Sequence, residues 1–283
     1  MKYLVHRGIK IPLIGFGSYG FGLDSQTARS EENTVRSGVE SFGMTLIDTA
    51  ESYGDGAGER FLGKIIKDFN RNDLFIVDKI LPENAEKNGF FTSCRNSLDR
   101  LGVDSIDLYL LHWREGLALQ GVVDGMEELV QSGMIKHWGV SNFDTADMAE
   151  LFDCVNGENC FCNQILYNIC TRGPEYELIP WCKEHDVLVM AYSPLCHGEK
   201  DRLAVARHPR VADIARRENK TPESLMLSFV IRNNDLVTVF KTSDINRLKN
   251  NMQNVFAPIT KENDKALSQL FQAPDRRTKL KTI

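Results

Sequence analysis

From Leu13 onward, short apolar runs alternate with longer segments whose apolar residues recur at helical spacing, the pattern of a parallel α/β architecture. The strand-like runs are LIGFG (13–17), MTLIDTA (44–50), LFIVDKI (74–80), SIDLYLLHW (105–113), KHWGVSN (136–142), FCNQILYN (161–168), VLVMAYSPL (187–195) and LVTVFKT (236–242). Each but the last is separated from the next by a plausible helix. Segment 58–69, GERFLGKIIKDF, carries an apolar stripe, and MEELVQSG carries another that stops at Gly133, where a helix C-cap is expected. Thr221-Pro222-Glu223 reads as an N-cap, a first-turn proline and an acid at a helix start. Eight such units predict an α/β fold, a single (β/α)8 TIM barrel spanning 1–283 as one domain. Two additions are expected at its periphery: a hairpin-like extension, YLVHRGIKIP, before the first strand, and extra helical segments at about 201–219 and 221–233 before the last.

Composition narrows the function classes. An apolar share of 42% and a charged share of 26% suit a chain with a sizeable core. The net charge of −5 and the scatter of 34 Lys and Arg among 39 acidic residues argue against a nucleic-acid or membrane-surface partner. No stretch approaches the roughly 20 apolar residues of a membrane span. Seven cysteines without a secretion signal fit a reducing, cytoplasmic setting, and Cys154, Cys160, Cys162 and Cys170 lack the paired spacing of a zinc site. They read as thiols, not ligands. The six histidines include no His-x-His or His-x3-His pair, which counts against a metal-dependent barrel hydrolase, so no metal is expected.

Gly15-Phe16-Gly17-Ser18-Tyr19-Gly20 matches the dinucleotide fingerprint G-x-G-x-x-G letter by letter. A Rossmann glycine loop opens straight into a helix whose N-terminus holds pyrophosphate, whereas here Phe21-Gly22-Leu23-Asp24 continues the loop and the helix begins near Thr27. The match is therefore set aside as a Rossmann site.

The ionisable residues on the strand runs carry more. Asp48 ends MTLID, Lys79 ends LFIVDK and His112 ends LYLLH, and the C-terminal strand ends of a barrel open onto one face. Tyr53 follows Asp48 by five residues, in a loop able to fold over the same mouth. Taken singly, Asp48 reads as a helix cap, Lys79 as a solvated charge, His112 as a packing residue and Tyr53 as a loop aromatic. Together they make an acid–base set. A tyrosine of ordinary pKa near 10 is a poor proton donor at neutral pH until a cation stabilises its phenolate, and Lys79 is the candidate cation. Asp48 would hold the Lys79 ammonium, while His112 would donate to a substrate oxygen.

The segment D-T-A-x-x-Y-G from Asp48 to Gly54, the strand-end Lys79 and L-L-H-W from Leu110 to Trp113 resemble the catalytic tetrad of the aldo-keto reductase superfamily. Family-like segments continue along nearly the whole chain: G-V-S-N-F (Gly139 to Phe143), Asn163-Gln164 with Tyr167-Asn168, A-Y-S-P-L (Ala191 to Leu195), and Lys241-Thr242 with Arg247. The resemblance implies reduction of aldehyde or ketone carbonyls by hydride transfer from NADPH, with NADH used less well and Tyr53 as proton donor. It implies that Ser141, Asn142 and Gln164 bind the nicotinamide carboxamide, that Tyr192 stacks on the ring, and that Ser193, Pro194 and Leu195 line the pyrophosphate path. Gly17, Ser18, Tyr19 and Asp48 are likewise assigned to the cofactor. Lys241, Thr242, Arg247 and Asn251 suit its 2′-phosphate. Tyr19, Tyr53, His112 and Trp113 would form the pocket for a small-molecule substrate, in a protein expected to be a monomer. An NADPH-binding sensor on the same fold is the alternative.

Three departures from the family pattern stand out. Phe240 replaces a frequent proline, Cys196 a frequent glycine, and Arg114 the usual proline after L-L-H-W. Arg114 is expected to put a positive charge near the pocket mouth. The short tail from Ala273 to Ile283 is expected to leave the pocket open.

Overall fold

The structure, a computed structural model, describes residues 1–86 and 89–283. The eight apolar runs become eight parallel strands: β3 (Ile14–Gly17), β4 (Leu46–Asp48), β5 (Phe75–Ile80), β6 (Ile106–Leu111), β7 (Ile135–Ser141), β8 (Cys162–Leu166), β9 (Leu188–Tyr192) and β10 (Leu236–Phe240). They close in the order β10-β3-β4-β5-β6-β7-β8-β9. Every residue of β5, β6, β8 and β10 is buried, because side chains point alternately into the barrel and under the helices, and both sides are dry. Helices α1 (Ala28–Phe42), α2 (Ala57–Ile66), α3 (Gly89–Leu101), α4 (Leu119–Gln131), α5 (Thr145–Phe152) and α6 (Leu178–Glu184) follow the first six barrel strands in turn. The expected barrel is the one found.

Preceding it, β1 (Tyr3–His6) and β2 (Ile9–Pro12) pair antiparallel, turning through Arg7 and Gly8, both at positive φ. The Arg7 guanidinium ties this hairpin to the barrel, donating to Asp186 Oδ2 at 3.2 Å and to the carbonyls of Glu158 and Asn159. The stretch expected as one helical segment at about 201–219 is two helices, α7 (Gly198–Ala206) and α8 (Pro209–Arg217). Pro209 has no N–H to continue a helix and drives His208 into an extended conformation, so α8 starts afresh with Pro209 in its first turn. Thr221 does cap α9 (Pro222–Val230), accepting from Ser224 N at 3.0 Å. Then α10 (Ile245–Met252) follows β10, α11 (Lys261–Leu270) packs outside, and Gly133 takes the left-handed conformation (φ 77°) just past α4.

The glycine-rich run has a packing explanation. Gly15 lies within β3, and a Cβ there would sit 2.3 Å from the carbonyl oxygen of Leu46 on the neighbouring strand. No helix follows until α1, so the run is not a Rossmann loop. Gly15→Ala is expected to destabilise the fold by about 3 kcal/mol through overpacking. Gly121→Ala, on α4 where nothing lies within 4 Å, is expected to be neutral or stabilising by up to about 1 kcal/mol. Urea unfolding midpoints of the two variants test the contrast.

Candidate active site

The strand register sets the site before any side chain is considered. Gly17 pairs with Asp48 and Asp48 with Val77, Lys79 pairs with Leu110, and Ser141 pairs with Gln164, so these residues all emerge at the C-terminal mouth of the barrel. Lys79 is fully buried. Its ammonium donates to Asp48 Oδ1 at 2.7 Å, to the carbonyl oxygen of Thr49 at 2.7 Å and to the Tyr53 hydroxyl at 3.3 Å. Burial alone would strip the Lys79 proton, but the opposing pull of Asp48 and Tyr53 wins and holds the amine charged, above its ordinary range. Across the barrel, Gln164 Nε2 donates to the same Asp48 oxygen at 2.7 Å.

The loop from Thr49 to Gly56 brings Tyr53 back over this pair, using positive φ at Gly54, Asp55 and Gly56. Glu51 pins the loop: its carboxylate accepts from Leu81 N at 2.6 Å, from Asn84 Nδ2 at 3.0 Å and from the Ser93 hydroxyl. The His112 ring lies 5.9 Å from that of Tyr53, edge-on, and Tyr19 and Trp113 flank them, with ring centroids 5.3 Å from Tyr53 and 4.8 Å from His112. His112 Nδ1 is 3.3 Å from Ser52 Oγ. Burial, helped by the nearby Lys79 charge, pulls the imidazole down to about 3, so the ring is neutral at physiological pH. Burial also raises the Tyr53 phenol above its ordinary range, and the Lys79 cation offsets only part of that. Lys79 thus acts on the phenol in the expected direction, with desolvation the larger effect.

Beside this cluster, Ser141, Asn142 and Tyr192 form a second polar set. Tyr192 donates to Asn142 Oδ1 at 2.7 Å, Asn142 Nδ2 donates to the His112 carbonyl at 3.1 Å, and Ser141 Oγ donates to the Gln164 carbonyl at 2.9 Å. Ser193 continues from Tyr192 at φ 50°, leading through buried Pro194 and Leu195 to a cavity of about 210 Å3. Lys241, Thr242, Arg247 and Asn251 line that cavity with Leu195. Ser18 is wholly buried next to Gly17, and its hydroxyl has no hydrogen-bond partner among the described residues. Tyr53 and Tyr192 thus stand at the barrel mouth, and the cavity beside Leu195 reaches the basic start of α10.

The family model described as "Aldo/keto reductase family" matches residues 13–271. The chain belongs to the aldo/keto reductase family. It is thereby an oxidoreductase. Methylglyoxal reductase YeaE of Escherichia coli K12 is 35% identical over 275 residues, covering 97% of this chain and 96% of that protein. An aldo/keto reductase from Klebsiella pneumoniae, crystallised with NADP and acetate, superposes with a TM-score of 0.95 at 36% identity and covers each chain completely. A second Klebsiella pneumoniae structure, in complex with NADPH, gives the same TM-score and identity over 100% of this chain and 99% of that one.

Within this reductase scaffold, several contributors escaped the sequence pattern. Glu51 and Ser52 occupy the two free positions of D-T-A-x-x-Y-G, so a motif that ignores them conceals the loop pin and the His112 partner. Ser243, Asn250 and the Arg202–Glu223 ion pair at 2.7 Å line the cavity with Lys241, a juxtaposition of α7, α9 and α10 that no local spacing reveals. Arg114 does not present a free charge at the mouth, because it binds Asp147 at 2.7 Å and Glu150 at 2.6 Å on α5. Nor does the tail stand clear. Arg277 anchors it to Asp144 and Glu177, and residues Thr278 to Ile283 fold back along the β8 and β9 side, lining a cavity with Leu166, Cys170 and Cys196. Among the described residues no group of side chains could hold a metal ion, and no helix is long and apolar enough to cross a membrane.

The buried Lys79–Asp48 pair has a measurable signature. Lys79→Met leaves the Asp48 carboxylate without its ammonium and is expected to cost about 3 kcal/mol in denaturant unfolding. The double variant Lys79→Met/Asp48→Asn is expected to recover most of that loss. Additive losses in the double-mutant cycle would contradict a Lys79–Asp48 pairing energy.

Proposed function

We propose that this chain reduces aldehyde or ketone carbonyls with NADPH and that Tyr53 delivers the proton. The observation that carries the reading is the single Lys79 ammonium shared by Asp48 and the Tyr53 hydroxyl at the barrel mouth, with a neutral His112 beside them.

Two residue sets fit the cofactor. The exposed, basic Lys241 and Arg247 with the Thr242 hydroxyl suit a 2′-phosphate, and the unpartnered Ser18 hydroxyl is a buried polar group waiting for one. The Klebsiella pneumoniae relatives solved with NADP and NADPH support the same choice. Leu195 and its neighbours Ser193 and Pro194 would flank the pyrophosphate, with Gly17 and Tyr19 on the facing loop. Ser141 and Asn142 would hold the carboxamide. Gln164 would join them through its carbonyl oxygen, since its amide nitrogen is committed to Asp48. The Tyr192 ring would support the nicotinamide face. Bound there, NADPH supplies the hydride.

The protein's own residues do the rest. A carbonyl oxygen between Tyr53 and His112 accepts two hydrogen bonds: one from the phenol, and one from imidazole Nε2, which carries the ring proton if Nδ1 accepts from Ser52. As Tyr53 gives up its proton to that oxygen, the phenolate left behind is met by the Lys79 cation 3.3 Å away. Asp48 keeps that cation in place. Tyr19 and Trp113 wall the pocket. Small carbonyls suit it, and methylglyoxal is the first to try because the Escherichia coli relative is named for it. The entire chain acts as one barrel domain in this reading.

Tyr53→Phe is expected to lower kcat for methylglyoxal or 4-nitrobenzaldehyde by at least about a thousandfold while leaving NADPH affinity within about twofold. Equal loss of both would remove Tyr53 from its assigned role, and NADPH binding without turnover in the wild type would favour a sensor. Arg247→Ala is expected to raise the KM for NADPH about tenfold and leave that for NADH unchanged. His112 is neutral above about 3 and Tyr53 stays protonated until above its ordinary 10, so kcat/KM for reduction should be flat from about pH 5 to about pH 9 and fall only on the alkaline side. An acid limb with a midpoint near 6.5 would mean that His112 titrates as an ordinary imidazole.

A further inference from the structure

One set of reactive side chains, Cys170 and Cys196, lies outside the carbonyl and cofactor sites. Asn168, just past β8, pairs with Thr171 across a tight turn, and its Oδ1 accepts from Cys170 N and Thr171 N, both at 2.9 Å. The same oxygen accepts from Cys196 Sγ at 3.8 Å, and Asn168 Nδ2 donates to the Ser193 carbonyl at 3.0 Å. One carboxamide therefore clasps the β8–α6 turn to the β9–α7 turn, with the Cys170 backbone and the Cys196 sulfur meeting at the same oxygen. Cys170 is exposed and Cys196 half-buried, and both open onto a cavity of about 790 Å3 whose far wall is the tail from Thr278 to Ile283. A small oxidant has a path to them. Cys196 also sits at φ 69°, a strained conformation for an L-residue that glycine would take freely.

The seven thiols are not equivalent. Burial pushes Cys94, Cys154, Cys160, Cys162 and Cys182 up. Cys170 alone is held below the ordinary thiol range, chiefly by its neighbour Cys196, while Cys196 is pushed up by Cys170 and by burial. That division separates an attacking sulfur from a resolving one.

We propose that Cys170 and Cys196 are a peroxide-oxidised dithiol whose disulfide staples the β8–α6 turn to the β9–α7 turn. The Cys170 thiolate attacks one oxygen of hydrogen peroxide, the O–O bond breaks, and the departing hydroxide takes a proton to leave as water, giving Cys170 sulfenic acid. Cys196 sulfur then attacks Cys170 sulfur: the S–S bond forms, the S–O bond breaks, and a second water leaves with the Cys196 proton. Two thiols lose two electrons in all, and one peroxide becomes two waters. A dithiol reductant reverses the change.

The consequence for function rests on the cofactor reading above. Closing the sulfurs to a bond of about 2 Å draws Cys196 toward Cys170. Leu195, its immediate neighbour, lines the cavity with Lys241 and Arg247, so the staple is expected to weaken NADPH binding about fivefold or more.

The test uses the full chain, titrated with hydrogen peroxide, alkylated and mapped by peptide mass spectrometry. A Cys170–Cys196 linked peptide that dithiothreitol abolishes is expected, as is a dimedone adduct at Cys170 in Cys196→Ser. Oxidation of Cys170 to the sulfonic acid without linkage, or linkage of other cysteines in its place, would overturn the pairing. Tryptophan fluorescence then reports NADPH binding by reduced and oxidised protein. Unchanged affinity on clean disulfide formation would overturn the coupling to cofactor. Failure of the reduced protein to bind NADPH would instead overturn the cofactor reading, with the dithiol standing on the peptide map.

Discussion

An ammonium group taken out of water costs several kcal/mol unless oxygen atoms surround it, and Lys79 has no exposed surface at all. Its three acceptors come from the end of β4, from the backbone just beyond it and from the loop that carries Tyr53. Satisfying one charge therefore fixes the relative positions of β4, β5 and that loop. Asp48 in turn draws a second donor, the Gln164 amide, from the far side of the barrel. The chemistry assigned to Tyr53 comes from the same constraint, because the hydroxyl that completes the Lys79 shell is the one nearest the pocket.

Around this fixed centre the walls are of a different kind. Tyr19 and Trp113 stand on loops with substantial exposed surface, and the tail reaches the mouth from outside the barrel. Such elements are held by fewer contacts than the strand ends and are where a family changes its substrate while keeping its proton transfer. Arg114 illustrates the difference. As a loop charge it could serve the pocket, but α5 offers two carboxylates at hydrogen-bonding distance and takes it. The paired thiols lie on this same outer tier, between two turns and the tail.

The barrel was legible in the chain because a strand buried on both faces must be written as an unbroken apolar run, and eight such runs separated by amphipathic segments leave little choice of architecture. Asp48, Lys79 and His112 were legible for a related reason: an ionisable residue ending an apolar strand has to be accounted for. Helix starts with local signals, such as Thr221-Pro222, were read correctly, since capping is settled within four residues. The break between α7 and α8 was also written locally, in Pro209, but the helical spacing on either side masked it.

What the sequence alone determined about this protein is thus what depends on near neighbours: the strand and helix succession, the mouth residues that strand ends deliver, and membership of a family through motifs of adjacent residues. Only the tertiary structure decided matters that depend on groups far apart in the chain. Gln164 spends its amide on Asp48, 116 residues away; Arg114 is neutralised by α5; Tyr53 is raised by burial despite its lysine; the tail returns to the turns after β8 and β9; and Asn168 joins Cys170 to Cys196. Each is set by solvent exclusion and by which polar group arrives first at a shared partner, and neither quantity exists until the chain has closed on itself.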